Sequence, residues 1–184
     1  MRVIGGVHRG RRLRTVAGLK VRPTSDRLRE TLFNIIATKI NGSSFLDVCA
    51  GSGAVGVEAI SRGAAEVTFI ERDRHACITI NTNLTALGIT EGATVINRDV
   101  SVALKRLEQD KRHFDFVFFD PPYAESTIYD SVMQKLGFGQ LLSGNSVVIV
   151  EHRIKKPPET LYGTLKLFRE VRQGESGLSF FETI

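Results

Sequence analysis

Short apolar runs alternate with amphipathic stretches of roughly ten residues over most of this chain. Strands are expected at 45–48, 66–71, 93–97, 114–119 and 146–151. Between them the spacing predicts helices at 54–62, 73–87, 101–109 and 127–136, with Gly63 and Gly88 stopping the first two. Ahead of the first strand, Leu28, Leu32, Ile35, Ile36 and Ile40 form one helical stripe, opened by Pro23-Thr24 and closed by Asn41-Gly42. Apolar strands separated by helices imply a parallel α/β sheet covered on both faces. The tail has a different period. Segments 165–172 and 178–182 read as strands, and Gln173-Gly174-Glu175-Ser176-Gly177 between them leaves no room for a helix. An antiparallel hairpin closing the sheet is expected there. Residues 1–22 read as a β-hairpin extension punctuated by Gly5-Gly6 and Gly10, and residues 23–184 as one domain.

Composition supports a single cored domain: 184 residues, 42% hydrophobic and 24% charged. No stretch approaches the roughly 18 apolar residues of a membrane span. The first residues hold no apolar run long enough for a signal peptide. Cys49 and Cys77 lack metal-type spacing and read as reduced thiols of a cytoplasmic protein. No metal is expected, and the chain is expected to act as a monomer. Charge changes the picture more than composition does. Residues 1–30 carry nine Arg or Lys against two acids, a net +7, which leaves −2 for the rest of a chain whose total is +5. Basicity gathered at one end is the footprint of a phosphate-binding segment, with Arg9, Arg11 and Arg12 at its centre. A solvated charged tail is the plainer alternative.

The stretch FLDVCAGSGAVGVEAI places Gly51-Ser52-Gly53-Ala54-Val55-Gly56 directly after a strand and at the opening of a helix. In such a loop the first glycine makes the tight turn, the second admits a ligand to the backbone, and the third allows close helix packing. Twenty residues after Gly51 stands Glu71, at the end of the next strand, where a carboxylate can accept both hydroxyls of a ribose. A nucleotide-containing cofactor follows. Dinucleotide dehydrogenases meet the same pattern. S-adenosylmethionine is favoured by Asp47, placed for a cationic amino-acid moiety, and by Asp99, placed for an adenine amino group. The lack of a second domain to carry a substrate to a nicotinamide points the same way. Asp47 has a structural alternative, holding the loop through backbone N–H groups, and Asp99 has one as a helix cap.

The strand Phe114–Phe119 ends in Asp120-Pro121-Pro122-Tyr123. Two prolines forfeit two backbone donors and stop the strand. In a doubly wound sheet this fourth strand lies beside the first, so the tetrapeptide faces the glycine loop's ligand. Methylation of an exocyclic amine needs a nitrogen lone pair that the base ring delocalises. Acceptors out of the base plane, the Asp120 carboxylate and the Pro121 carbonyl, can turn that lone pair toward a sulfonium methyl. Pro121 and Pro122 hold the carbonyl's direction, a preorganised dipole. Tyr123 offers a stacking face for an extruded base.

These motifs resemble class I SAM-dependent amino-methyltransferases. More narrowly, RPTSDRLRETLFNI (Arg22–Ile35) and AGSGAVGVEAISRGA (Ala50–Ala64) resemble the RsmD family, bacterial enzymes that methylate guanine N2 in 16S ribosomal RNA. The likeness spans nearly the whole chain, although Cys49 stands where the family usually has an aromatic. It implies a Rossmann-like, mostly parallel sheet with a C-terminal antiparallel hairpin and a basic N-terminal extension. It also implies that Asp47, Gly51, Gly53, Glu71 and Asp99 hold the cofactor, and that Asp120, Pro121 and Tyr123 hold the guanine. Arg22, Thr24, Arg27 and Arg29 would line the entrance between cofactor and RNA, and the Arg-rich hairpin would grip phosphates. The small basic grip favours an assembled ribosomal particle over free RNA. A DNA adenine-N6 methyltransferase and a non-enzymatic rRNA-binding assembly factor share parts of this pattern.

Overall fold

The computed structural model describes residues 1–16, 24–121 and 126–184. Its core is one sheet of alternating β and α units. In chain order the elements are α1 (Asp26–Ile35), β1 (Ser44–Val48), α2 (Ala54–Ser61), β2 (Glu66–Glu71), α3 (Arg74–Leu87), β3 (Ala93–Asn97) and α4 (Val100–Gln109). They are followed by β4 (Phe114–Phe119), α5 (Ser126–Phe138), β5 (Leu142–Arg153), β6 (Leu161–Tyr162), β7 (Leu165–Gln173) and β8 (Ser176–Thr183).

The strand order is β3-β2-β1-β4-β5-β8-β7-β6. The first five strands run parallel, whereas β8 and β7 are antiparallel to their neighbours. β8 inserts between β5 and β7, so the expected terminal hairpin closes the sheet by its second strand. The order reverses between β1 and β4, and their carboxyl ends open a crevice there.

The middle strands β1, β2, β4 and β5 have apolar centres because both of their faces are covered. Phe45, Phe69, Phe116, Phe118 and Ile149 join one buried cluster, with Leu28 and Leu32 of α1 and Ile80 and Leu84 of α3. Val48, Ile70, Val117, Phe119 and Val150 join the other, with Leu104 of α4 and Met133 of α5. Phe33 of α1 stacks on Phe45 at 6.1 Å between ring centroids.

Most boundaries shift by one or two residues, and the larger differences from the pattern lie in α1, β5 and β6. α1 starts at Asp26, because the Ser25 hydroxyl accepts the Leu28 N–H at 3.2 Å and caps the helix there. It ends at Ile35, and Ile36 and Ile40 reach the core from turns beyond it. β5 begins at Leu142, earlier than the apolar run, and β6 was not foreseen because two residues carry no period. In the N-terminal extension the described part, residues 1–16, forms a single antiparallel bridge between Arg2 and Arg12 in place of a regular hairpin. It is no loose tail, since Val3 and Leu13 are buried in the first cluster. Residues 17–23 of the expected extension lie outside the described residues. No described helix is long and apolar enough to cross a membrane. Among the described residues no cluster of His, Cys, Asp and Glu has the makings of a metal site.

Candidate active site

The chain leaves β1 through a loop whose backbone is left-handed at Cys49 (φ 63°), Gly51 (φ 56°) and Gly53 (φ 77°). Gly51 has open space where a side chain would stand, as a position approached by a ligand requires. The other two glycines face protein. A Cβ on Gly53 would sit 3.0 Å from Ile80, and one on Gly56 only 2.2 Å from the ring of Phe69. The roles expected of the first two glycines are thus partly exchanged: Gly51 both turns and admits, while Gly53 turns and packs. Gly56 seats α2 on β2 as foreseen.

Acids hold this loop. Asp47 is buried and accepts the Gly56 N–H at 2.8 Å. Glu71 accepts the N–H of Gly51 with one oxygen at 2.8 Å and that of Asp73 with the other at 2.9 Å. Each carboxylate oxygen can accept more than one donor, so Glu71 keeps capacity for ribose hydroxyls. Burial, opposed by the Gly56 bond and reinforced by Glu71, pushes the Asp47 carboxyl up to about 7. Asp99 caps α4, accepting the Ser101 N–H at 2.9 Å and the Ser101 hydroxyl at 2.7 Å, and these bonds lower its pKa.

A cavity of about 340 Å³ opens at this edge, lined by Asp47, Gly51, Glu71, Asp99 and Asp120 among others. Five residues scattered over 74 positions of sequence therefore meet in one pocket, within the roughly 300–1,000 Å³ typical of small-molecule sites. Asp120 follows β4 directly, and its N–H donates to the Val48 carbonyl at 3.3 Å, which keeps it beside the glycine loop. Enclosure by the cavity walls, then Glu151, then Asp47 raise its pKa well above the usual carboxylate range. Pro121 is buried beside it, and Pro122 and Tyr123 lie outside the described residues.

The remaining expectations divide. Arg9, Arg11, Arg12 and Arg27 are exposed, and Arg11 Nη2 donates to the Ala86 carbonyl at 2.7 Å. Arg29 is a correction. Its side chain is wholly buried, donating to the Arg2 carbonyl at 2.6 Å and to Asp26 at 3.1 Å, and it faces no solvent where RNA could approach. Arg22 lies outside the described residues.

Several contributors escaped the sequence reading. Thr15 and Val16 of the N-terminal segment line the cavity. Asn83 of α3 fastens them by bonding the Arg14 N–H (2.8 Å) and carbonyl (3.1 Å) and the Ser52 carbonyl (3.1 Å). Thr24, which the resemblance placed at the entrance, is in the lining and donates its hydroxyl to Glu151, a buried acid that the sequence reading did not single out, at 2.6 Å. Glu151 had a legible signal, since VVIVE ends an apolar run in an acid as VTFIE does at Glu71.

Residues 1–182 match the protein family described as Conserved hypothetical protein 95. The chain belongs to this family. Its relatives include the Haemophilus influenzae Ribosomal RNA small subunit methyltransferase D, 39% identical over 85% of this chain and 81% of that protein. The Escherichia coli K12 protein of the same name is 35% identical over 99% of this chain and 89% of its own length. These names mark the family as the RsmD family that Arg22–Ile35 and Ala50–Ala64 resemble. Among solved structures, the Thermus thermophilus hypothetical protein TTHA0928 covers 100% of this chain and 99% of its own, at TM-score 0.85 and 29% identity. The protein SMU.776, solved in complex with SAH, shares the fold at TM-score 0.64 and 16% identity, over 84% of this chain and 49% of that one.

Proposed function

We propose that this RsmD-family protein transfers a methyl group from S-adenosylmethionine to the exocyclic N2 of one guanine in 16S rRNA. One observation carries the reading: Asp120 shares a cavity with the glycine loop and with the acids Asp47, Glu71 and Asp99. Relatives named for small-subunit rRNA methylation supply the substrate class. The cofactor fits the chemistry of the lining, because Gly51 leaves its face of the loop open and the carboxyl groups of Asp47, Glu71, Asp99 and Asp120 flank it.

When bound, the cofactor supplies an electrophilic methyl on a positively charged sulfur. Glu71 receives the ribose hydroxyls, and the Asp99 oxygen not committed to Ser101 receives the adenine amino group. Asp47 holds the loop through Gly56 and turns negative charge toward the amino-acid moiety. Asp120 accepts one N–H of the guanine amine and the Pro121 carbonyl accepts the other, which aims the nitrogen lone pair at the methyl. Alignment of this kind supplies about 7–11 kcal/mol of barrier reduction. Tyr123 stacks on the extruded base, and Pro122 stiffens the chain between them. Arg9, Arg11, Arg12, Arg22 and Arg27 face the RNA backbone.

The test is to incubate the protein with labelled cofactor and small ribosomal subunits from cells lacking the gene, then mass-map the rRNA. A single guanine gaining about 14 Da, a replacement of N–H by N–CH3, is expected. Label in adenine, or in DNA and not in rRNA, overturns the assignment. Comparison of free rRNA with subunits as substrate reads the preference for the assembled particle.

A further inference from the structure

Sheet order sorts the cavity wall into two ends. From one edge inward the strands run β3-β2-β1-β4-β5. Asp99 follows β3, Glu71 ends β2 and Asp47 stands in β1, and these are the acids given above to the cofactor. Asp120 follows β4, the next strand across. Thr24 lines the same cavity, and its hydroxyl donates to Glu151 of β5 at 2.6 Å. Phe119 of β4 pairs with Val150 of β5 in parallel register, so Asp120 and Glu151 follow side by side one step on. Thr24 therefore lies across Asp120 from the cofactor acids, at the end left for the base.

This threonine is held from two directions. It precedes Ser25, whose hydroxyl caps α1 at the Leu28 N–H, and Leu28, Leu32 and Phe33 fix α1 in the first cluster. Its own hydroxyl is tied to Glu151. A threonine hydroxyl has one proton and two lone pairs. With the proton committed to Glu151, a ligand meets the oxygen as an acceptor. The residue is only 8% exposed, so an acceptor left unpaired there is costly.

Enzymes that work on an extruded base read it by hydrogen bonds to its pairing edge. Among the amino-bearing bases, guanine alone carries a ring N–H beside its amine. The adenine amine has the N1 lone pair beside it, and the cytosine amine the N3 lone pair. We propose that Thr24 is a specificity-determining residue: its oxygen accepts the N1–H of guanine while Asp120 accepts an N–H of the neighbouring amine. Against adenine or cytosine the same oxygen meets a lone pair, which repels and leaves both groups unpaired. Glu151 is the positioning residue that keeps the hydroxyl proton turned from the base. The inference rests on the proposed transfer to guanine N2 and adds the group that reads the base.

The test uses small subunits reassembled around 16S rRNA with guanine or 2-aminopurine at the mass-mapped position. 2-Aminopurine keeps the amine and lacks N1–H. Wild-type kcat/KM should favour guanine by ~10–100-fold, the scale of one hydrogen bond in a buried site. Thr24→Val keeps the shape without the hydroxyl. It should lower kcat/KM on guanine by a similar factor and leave 2-aminopurine within about threefold, so that the preference collapses. Thr24→Ser should retain the preference. Damage to the fold alone would slow both substrates alike and leave their ratio where it was. A ratio undiminished in Thr24→Val, or equal wild-type rates on the two bases, overturns the proposal and leaves guanine methylation standing. Absence of guanine methylation by the wild type overturns both. Should Thr24→Val not fold, 6-thioguanine decides, since it keeps N1–H beside a poor acceptor. Wild-type turnover of it should follow guanine, and a rate as low as that on 2-aminopurine overturns the assignment.

Discussion

Arg29 and Glu58 are both wholly buried, with the guanidinium Nε 3.7 Å from the carboxylate Oε2. The pair joins α1 to α2, the helix that the glycine loop opens. Glu58 also accepts the N–H groups of Ile4 and Gly5 at 2.8 Å each and Arg62 Nε at 2.8 Å. Arg29 reaches the Arg2 carbonyl from the other side. The basic N-terminal segment is thus fastened to the cofactor loop's helix through one buried acid. Burial lowers the Arg29 pKa, and Glu58 and Asp26 oppose that effect.

Removing one partner of a buried pair leaves an uncompensated charge, at a cost of about 3–5 kcal/mol. Arg29→Ala should lose stability on that scale in urea unfolding. The salt dependence of RNA binding by the fraction that remains folded should not change. A stable variant with a flattened salt slope would return Arg29 to the RNA-contact set.

The exposed arginines should behave in the opposite way. Neutralising Arg9, Arg11 and Arg12 together removes up to three phosphate contacts. The slope of log K against log salt should fall by about 2–3, with little loss of thermal stability. Binding titrations between low and moderate salt check this, and an undiminished slope places the RNA elsewhere.

Asp120→Ala keeps the glycine loop, Glu71 and Asp47, so donor affinity should stay within about three-fold while the methylation rate drops at least ~100-fold, the scale of a lost preorganised partner. Single-turnover transfer with saturating cofactor measures it. Near wild-type turnover would remove Asp120 from the chemistry.

The Asp47 carboxyl is raised to about 7, so the ligand-free folded chain holds a proton that the unfolded chain gives up near the ordinary value of 3.8. Its contribution to stability is present in full below pH ~4 and is lost as pH rises toward about 7. Asp47→Asn, whose amide carbonyl can still accept the Gly56 N–H, should melt with a shallower pH dependence than the wild type over this window. Parallel melting curves across pH 4 to 8 for the two proteins would contradict the assignment.

Gly56→Ala places a methyl 2.2 Å from Phe69, a fully buried ring with nowhere to retreat. Overpacking should outweigh the gain in helix propensity and destabilise by about 1–3 kcal/mol. Phe69→Leu in the same chain should recover part of the loss, read by denaturant midpoints.

The sheet was legible in the sequence because its evidence is local. A strand buried on both faces must be apolar at its centre, and Phe116–Phe119 and Val147–Val150 say so residue by residue. Glycine at positions 51, 53 and 56 and the acids at 47, 71, 99 and 120 were visible for the same reason: each stands at a strand end or turn that its neighbours define. Tertiary structure alone decided what those residues face. Arg27 and Arg29 lie two apart on one helix, and only the position of Glu58 makes one a solvent charge and the other a buried tie. Gly51 and Gly53 differ only in which of them has Ile80 behind it. Glu151 carries the same apolar-run signal as Glu71, but its meaning depends on β5 lying next to β4. Side-chain period and backbone conformation are properties of a few consecutive residues, whereas burial, charge pairing and proton affinity are set by groups brought together from far along the chain.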